Sequence, residues 1–167
     1  MKLERLYRRS KASMEIRFAK KENLEGIMTM FQETVLNISR NDYSSEQLSA
    51  WARISDSKEL WLRRISEQYL ILCYEENDLL GFASLKDDDY VDLLFVHHKN
   101  QRKGIGKLLL NTLRDHVQSL GGKSMKSHVS KTARPLFETL GYKVVSPNIV
   151  KIGEVELTNY LMEKEII

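Results

Sequence analysis

One stretch limits what this chain can become: Val91–Leu110, Val-Asp-Leu-Leu-Phe-Val-His-His-Lys-Asn-Gln-Arg-Lys-Gly-Ile-Gly-Lys-Leu-Leu-Leu. Apolar residues run through Val91, Leu93, Leu94, Phe95 and Val96. Such a run suits a strand covered on both faces. From Ile105 the buried-type positions fall at Ile105, Leu108, Leu109, Thr112, Leu113 and Val117. That is the spacing of a helix with one apolar stripe. Between strand and helix lies a polar turn holding Gln101, Arg102, Lys103, Gly104 and Gly106.

The turn has the chemistry of an anion cradle. The first N–H groups of a helix lack acceptors inside the helix, and the aligned peptide dipoles make that end electropositive. Gly104 and Gly106 carry no Cβ, so backbone can come close to a phosphate there. Arg102 and Lys103 add positive charge. Two familiar cradles do not fit. A dinucleotide fingerprint needs glycine or alanine three residues after the second glycine, where this chain has Leu109. A triphosphate loop needs Ser or Thr after Gly-Lys, and Leu108 follows Gly106-Lys107.

The surrounding pattern is one domain of mixed class. A length of 167 residues permits a single core, and 42% hydrophobic with 29% charged residues suits a globular chain. Met1–Ser13 carries five Lys or Arg and reads as a basic leader, with the domain proper over 14–167. Met14–Lys20 alternates as a strand, and Glu22–Leu36 has a helical stripe. Ser44-Ser45-Glu46-Gln47 has the form of a capping box at the start of a helix through Trp51, and Leu60, Trp61 and Ile65 mark another. Strands follow at Gln68–Tyr74 and Leu79–Leu85. After the central strand and the helix to Leu120, the remainder reads as strand Lys123–Val129 and a short helix over 130–140. Strands then follow at Tyr142–Val145, Ile149–Ile152 and Val155–Met162, with Pro147-Asn148 as a break. A net charge of +3 without a dense basic face speaks against nucleic acid. The single cysteine, Cys73, excludes an internal disulfide, and no His/Asp/Glu cluster has metal-ligand spacing, so no metal is expected. No signal peptide or membrane span is visible in the sequence, which makes a cytoplasmic location the default.

Two motifs carry a family resemblance. Gln101-Arg102-Lys103-Gly104-Ile105-Gly106 resembles the Gln/Arg-x-x-Gly-x-Gly/Ala acyl-CoA signature of the GNAT N-acyltransferase superfamily. About thirty residues on, Ser130, Ala133, Leu136, Phe137, Glu138, Gly141 and Tyr142 stand where many members have Asn-x-x-Ala-x-x-Leu/Phe-Tyr-Glu-x-x-Gly-Phe. Tyr43–Trp51 and Val129–Met162 resemble small bacterial members of the YafP type. The resemblance implies an α+β fold: a mixed, twisted sheet of six to seven strands, about four helices, and a fourth and fifth strand that splay apart. It implies acetyl-CoA lying in that V. The backbone of Leu94, Phe95 and Val96 would pair with the pantetheine. Gln101, Arg102, Lys103, Gly104, Ile105, Gly106 and Lys107 would form the pyrophosphate turn. Ser130, Ala133 and Phe137 would line the thiol end, with Lys131 or Arg134 near a phosphate.

Transfer of an acetyl group to an amine needs a neutral amine, donors for the oxyanion, and a fate for the thiolate. In many members a tyrosine protonates the thiolate; Phe137 stands in its place here and has no proton to give. Ser130 and Tyr142 are the substitutes at hand. For the base, Asp92 stands nine residues before the Gln of the turn, where family bases often lie. It is also the only charged residue within Val91–Val96, and a carboxylate in an apolar strand calls for a reason. His128, beside Ser130, is a further candidate facing the acceptor. His97, His98 and His116 read as surface residues, Cys73 as an inert buried thiol, and Tyr43, Trp51 and Trp61 as core aromatics that shape the acceptor side. The expected activity is acetyl transfer from acetyl-CoA to a primary amine of a small molecule. The alternatives are a protein or peptide N-acetyltransferase and a non-catalytic acyl-CoA-binding module, with a homodimer left open.

Overall fold

The computed structural model describes residues 14–54 and 56–166, so the basic leader lies outside the described residues. The chain runs β1 (Glu15–Phe18), α1 (Leu24–Ile38), α2 (Ser45–Ile54), α3 (Lys58–Glu67), β2 (Tyr69–Glu75), β3 (Asp78–Lys86) and β4 (Tyr90–Val96). It continues with α4 (Ile105–Ser119), β5 (Ser124–Ser130), α5 (Arg134–Thr139), β6 (Lys143–Ile152) and β7 (Val155–Glu165). One sheet holds all seven of these strands in the order β1-β2-β3-β4-β5-β7-β6. Among them, only β4 and β5 pair in parallel; the other neighbours are antiparallel. This is the mixed α+β sheet that the family resemblance implies.

Local chemistry sets the helix ends. The capping box at α2 is present: Ser44 Oγ accepts from Gln47 N–H at 3.1 Å, and Gln47 Oε1 accepts from Ser44 N–H at 2.9 Å. Ser57 caps α3 by accepting from Leu60 N–H at 3.2 Å. Gly121, with φ +82°, ends α4, where Gly122 N–H reaches the Val117 carbonyl at 2.9 Å.

Both sheet faces are covered, which is why β3 is buried almost end to end. Against one face, α4 and α5 bury Leu109, Leu113, Phe137 and Met162. Against the other, α1, α2 and α3 bury Ile27, Phe31, Trp61 and Phe82. Trp61 and Leu109 are fully buried. Truncating such a leucine to alanine typically costs about 2–5 kcal/mol.

Two irregularities position the site. The first is the splay. β4 and β5 are registered at a single pair, Tyr90 with Lys126, and Ser127 Oγ then donates to the Val91 carbonyl at 2.7 Å. Past that point the two strands part. The second is a β-bulge. Leu85 lies opposite Val91 and Ser84 opposite Leu93, so Asp92 is the extra residue. A bulge re-aims the side chain it carries.

The sequence suggests a break at Pro147-Asn148, but β6 runs through it. β6 is the edge strand, so a proline without an N–H costs no ladder bond on its outer side. The irregularity instead falls at Val145, where Val144 pairs with Met162 and Ser146 with Leu161. β7 also extends beyond Met162 to Glu165.

Candidate active site

The residues expected to hold the donor begin at the end of β4. His97 N–H bonds the Leu80 carbonyl at 2.9 Å, so the antiparallel alternation turns the N–H and C=O of Val96 and Leu94 away from β3 and toward the splay. Phe95 sits at the intervening position, so its own peptide groups face β3. Of the three residues expected to offer backbone, two present it to the cleft; the Phe95 side chain, with Leu94, lines the cavity. Gln101 has a structural part: its Nε2 donates to the Val96 carbonyl at 2.7 Å and ties the turn to the strand.

In the turn, Arg102 (φ +60°) and Gly104 (φ +81°) are both left-handed. Gly104 is the residue before the first turn of α4 and has open space on its Cβ side. The first ladder bond of α4 runs from Leu108 N–H to the Gly104 carbonyl at 3.0 Å. The amides of Ile105, Gly106 and Lys107 lie outside that ladder, as an anion site requires. Arg102 and Lys103 are exposed. Ile105 is a core side chain, 1% exposed. At Gly106 a Cβ would lie 2.6 Å from Leu136 Cδ2, so its missing side chain also makes room for α5 against α4.

Across the cleft, Ser130 Oγ accepts from Ala133 N–H at 3.1 Å, which shapes the turn into α5. Ser130, Ala133 and Phe137 all line the same cavity as Asp92. Lys131 lies over the Tyr43 ring at 5.3 Å, and Arg134 lies over Tyr160 at 4.6 Å and pairs with Glu138. Both cations are thus engaged on the β7 side of the cleft.

The cavity holds about 370 Å³. One wall is apolar: Phe31, Trp51, Ile54, Phe95, Ile152 and Leu157. The other end is polar: Arg64, Tyr90, Asp92, His128 and Asn159. Asp92 Oδ2 accepts from Gln68 Nε2 at 2.7 Å, and Gln68 Oε1 accepts from Ser84 Oγ at 2.6 Å. Arg64 Nε stands 3.6 Å from the same Asp92 oxygen, with its guanidinium 4.7 Å over the Trp61 ring. Burial pushes the Arg64 pKa below its usual range, and Asp92 opposes that shift. The Tyr90 hydroxyl and His128 Nδ1 are 2.7 Å apart. Burial raises the Tyr90 pKa. Tyr43 donates its hydroxyl to the Thr158 carbonyl at 2.8 Å and accepts from Lys131 N–H at 3.0 Å, pinning β7 and the α5 turn to the helical block.

The fold therefore gathers Asp92, His128 and Ser130 at one cavity but leaves Tyr142 out. Tyr142 is 4% exposed, packs edge-on against Phe137, and donates to Met125 Sδ at 3.6 Å. Burial pushes its pKa up to about 12. Trp61 and Cys73 are core residues, as expected. His116 is half-buried and stacks on Tyr69 at 3.7 Å. His97 and His98, expected in solvent, are half-buried and stack on each other at 4.4 Å. Their ligand atoms and those of Glu33 lie within 4.8 Å of one another, a grouping hidden in the sequence because Glu33 comes from α1. His97 Nδ1 accepts from Lys99 N–H at 3.2 Å, while its Nε2 faces Glu33 Oε2 at 3.2 Å. With Nδ1 accepting, a neutral His97 ring carries its proton at Nε2 and donates it to Glu33. The sequence reading misses Arg64, Gln68 and Tyr90. The available signal was Arg64 three residues after Trp61, hence on the same buried helix face.

A splayed parallel pair and an amide-rich turn after the fourth strand are the features that the family resemblance implies. The Acetyltransferase (GNAT) domain profile matches residues 39–164, and the chain belongs to that family. It is 26% identical over 150 residues to the Escherichia coli K12 protein named "Uncharacterized N-acetyltransferase YafP", covering 90% of this chain and 95% of that one. It is 27% identical to the L-amino acid N-acyltransferase MnaT of the same organism, covering 84% and 85%. Among solved structures, a GCN5-related N-acetyltransferase of Rhodopseudomonas palustris superposes with a TM-score of 0.89 at 27% identity, covering 92% and 96%. The PaiA N-acetyltransferase of Thermoplasma acidophilum, in complex with coenzyme A, shares the fold at TM-score 0.77 and 22% identity, covering 92% and 99%. Among the described residues, no helix is long and apolar enough to cross a membrane.

Proposed function

We propose that this protein moves the acetyl group of acetyl-CoA to a primary amine of a small molecule, by direct attack with both substrates bound. The observation that carries this reading is the position of Asp92: a bulged carboxylate on β4 in one cavity with Leu94, Ala133 and Phe137. The donor residues fit the ligand, since β4 offers Val96 and Leu94 peptide groups to the cleft and α4 offers unladdered amides.

Acetyl-CoA supplies an activated acyl carbon as a thioester. The chain's part is to bring a neutral amine to it. An alkyl ammonium has a pKa near 10.4, so a base must take its proton at neutral pH. Gln68 and Arg64 hold Asp92 by Oδ2, leaving Oδ1 for that proton. The amine nitrogen then bonds the carbonyl carbon, and the Val96 N–H is the donor in reach of the oxyanion. The C–S bond breaks, CoA leaves as a thiolate, and the nitrogen's second proton passes to that thiolate or to solvent water. Phe137 cannot protonate the sulfur, but a thiol of pKa about 8.5 is a tolerable leaving group, and the Ser130 hydroxyl lines the same cavity.

The closing experiment measures CoA release from acetyl-CoA with a panel of small amines and peptides. Turnover of a small amine is the expected result. Turnover of peptides alone would replace the small-molecule reading with a protein acceptor. Tight acetyl-CoA binding with no turnover would make the domain a binding module.

A further inference from the structure

Arg64 is the residue this mechanism leaves half-used. Its side chain is 20% exposed and lines the cavity. A guanidinium carries five N–H donors and cannot shed its charge. Among the described residues, Arg64 donates no hydrogen bond to a protein oxygen; its one ion pair, with Asp92, spans 3.6 Å. The Asp92 oxygen it faces already takes a 2.7 Å bond from Gln68. A desolvated cation with unmet donors is costly, and buried polar groups are normally satisfied. The planar fork matches a carboxylate, and the guanidinium rests 4.7 Å over the Trp61 ring.

Asp92 is incomplete in a matching way, since Oδ1 has no partner among the described residues. The cavity thus presents a positive and a negative group side by side, with Nε and Oδ2 3.6 Å apart. The complement is a negative and a positive group separated by a single carbon. Among the described residues, Arg64 and Asp92 are the only Lys, Arg, Asp or Glu side chains that line the cavity, and the far wall is Phe31, Trp51, Ile54, Ile152 and Leu157.

We infer that the acceptor is an α-amino acid with a large apolar side chain, its carboxylate held by Arg64, its amino group by Asp92 and its side chain by the aromatic wall. This rests on the acetyl-transfer reading above and narrows it. Asp92 both orients the amine and takes its proton, so one clamp serves binding and chemistry.

The test compares matched pairs with the purified full chain: L-phenylalanine against phenethylamine, and L-leucine against 3-methylbutylamine. CoA release gives kcat/KM for each, and calorimetry gives binding to the protein–CoA complex. A site built to pair a polar group rejects the analogue lacking it by large factors, so the amino acids should win by at least about 100-fold. Arg64→Gln should bring that ratio toward one, and Arg64→Lys should leave part of it. Equal turnover of acids and amines by the wild type would overturn carboxylate recognition and leave acetyl transfer standing. Arg64-dependent binding of the amino acid without CoA release would uphold the clamp and overturn acetyl transfer. Neither binding nor turnover of any of the four overturns both. Should Arg64→Gln fail to fold, the wild-type pairs still decide.

Discussion

The two halves of the cleft are built from different materials. The half proposed for the donor is main chain: the cleft-facing peptides of Leu94 and Val96, the turn at Gly104 and the first amides of α4, all within one contiguous segment. The half proposed for the acceptor is side chain: Phe31, Trp51 and Arg64 from three helices, Asp92 and His128 from two strands, and Ile152 and Leu157 from two more. Main chain is the same for every residue type, so a backbone site can hold one cofactor while sequences diverge. A side-chain site changes with every substitution, so it can be rebuilt for a new acceptor. The contrast teaches that affinity for the donor and choice of acceptor should respond to different mutations.

The sharpest way to break this division is Asp92→Asn, the largest effect expected. Loss of a positioned base costs about 10²–10⁴ in rate, so kcat should fall at least about 100-fold at pH 7. Acetyl-CoA affinity should stay within about twofold, because none of the proposed donor contacts uses that carboxylate. Steady-state CoA release at pH 7, with calorimetry for acetyl-CoA, checks both halves of the statement. An unchanged kcat would remove Asp92 from the chemistry; a matching loss of acetyl-CoA affinity would mean that the halves are not separate.

The same contrast explains which parts of the molecule are legible in the sequence. The frame proposed for the donor is legible because its signals are local: a strand, a Gly-x-Gly turn and a helix stripe within Val91–Leu110. The α2 capping box is legible for the same reason. The acceptor half is not, because Arg64, Gln68 and Tyr90 meet Asp92 only through tertiary packing. The packing role of Gly106 is hidden too, since the sequence gives no sign that Leu136 packs against it. Tyr142 is suggested by motif position alone, and the edge-on contact with Phe137 puts it beneath the cleft floor instead. Pro147 suggests a break because an edge position is invisible until strand order is known.

Next in size is Gly104→Val, aimed at the donor half. A β-branched residue at φ +81° is strained by about 1–3 kcal/mol. The turn should relax away from its cradle geometry, raising the acetyl-CoA Kd by about tenfold, equivalent to about 1.4 kcal/mol. The melting temperature should drop only by a few degrees, since nothing lies within 4 Å of the new Cβ. Unchanged acetyl-CoA affinity in a folded protein would refute the cradle.

Trp51→Ala probes the opposite wall. Trp51 meets Tyr43 and Phe31 edge-on at 5.7 and 6.4 Å and lines the cavity. Its loss should raise the acceptor KM by about tenfold, a modest share of the area an aromatic buries. The acetyl-CoA Kd should not move. A change confined to the donor constant would reverse the assignment of the two walls.

Tyr142→Phe is the smallest effect and the one that tests whether anything beneath the cleft takes part. If Tyr142 gave the thiolate its proton, removing the hydroxyl would lower kcat by a large factor. Its burial and its bond to Met125 Sδ argue otherwise, so kcat should change less than about twofold. Neutral-pH stability should change by under about 1 kcal/mol, as one weak hydrogen bond is lost. The variant should differ visibly only in alkali. The folded phenol keeps its proton up to about 12, while the unfolded one releases it from its ordinary value of 10.0. Above pH 10 the unfolded chain therefore binds fewer protons than the folded one, and stability falls as pH rises through that window. The loss from this group approaches about 2–3 kcal/mol by pH 12, and phenylalanine removes it. Urea unfolding at pH 7 and pH 11 reads the difference: the variant should lose less stability between the two than the wild type. A flat response in both would deny the burial of this hydroxyl, and a fall in kcat at pH 7 would bring Tyr142 back into the donor half.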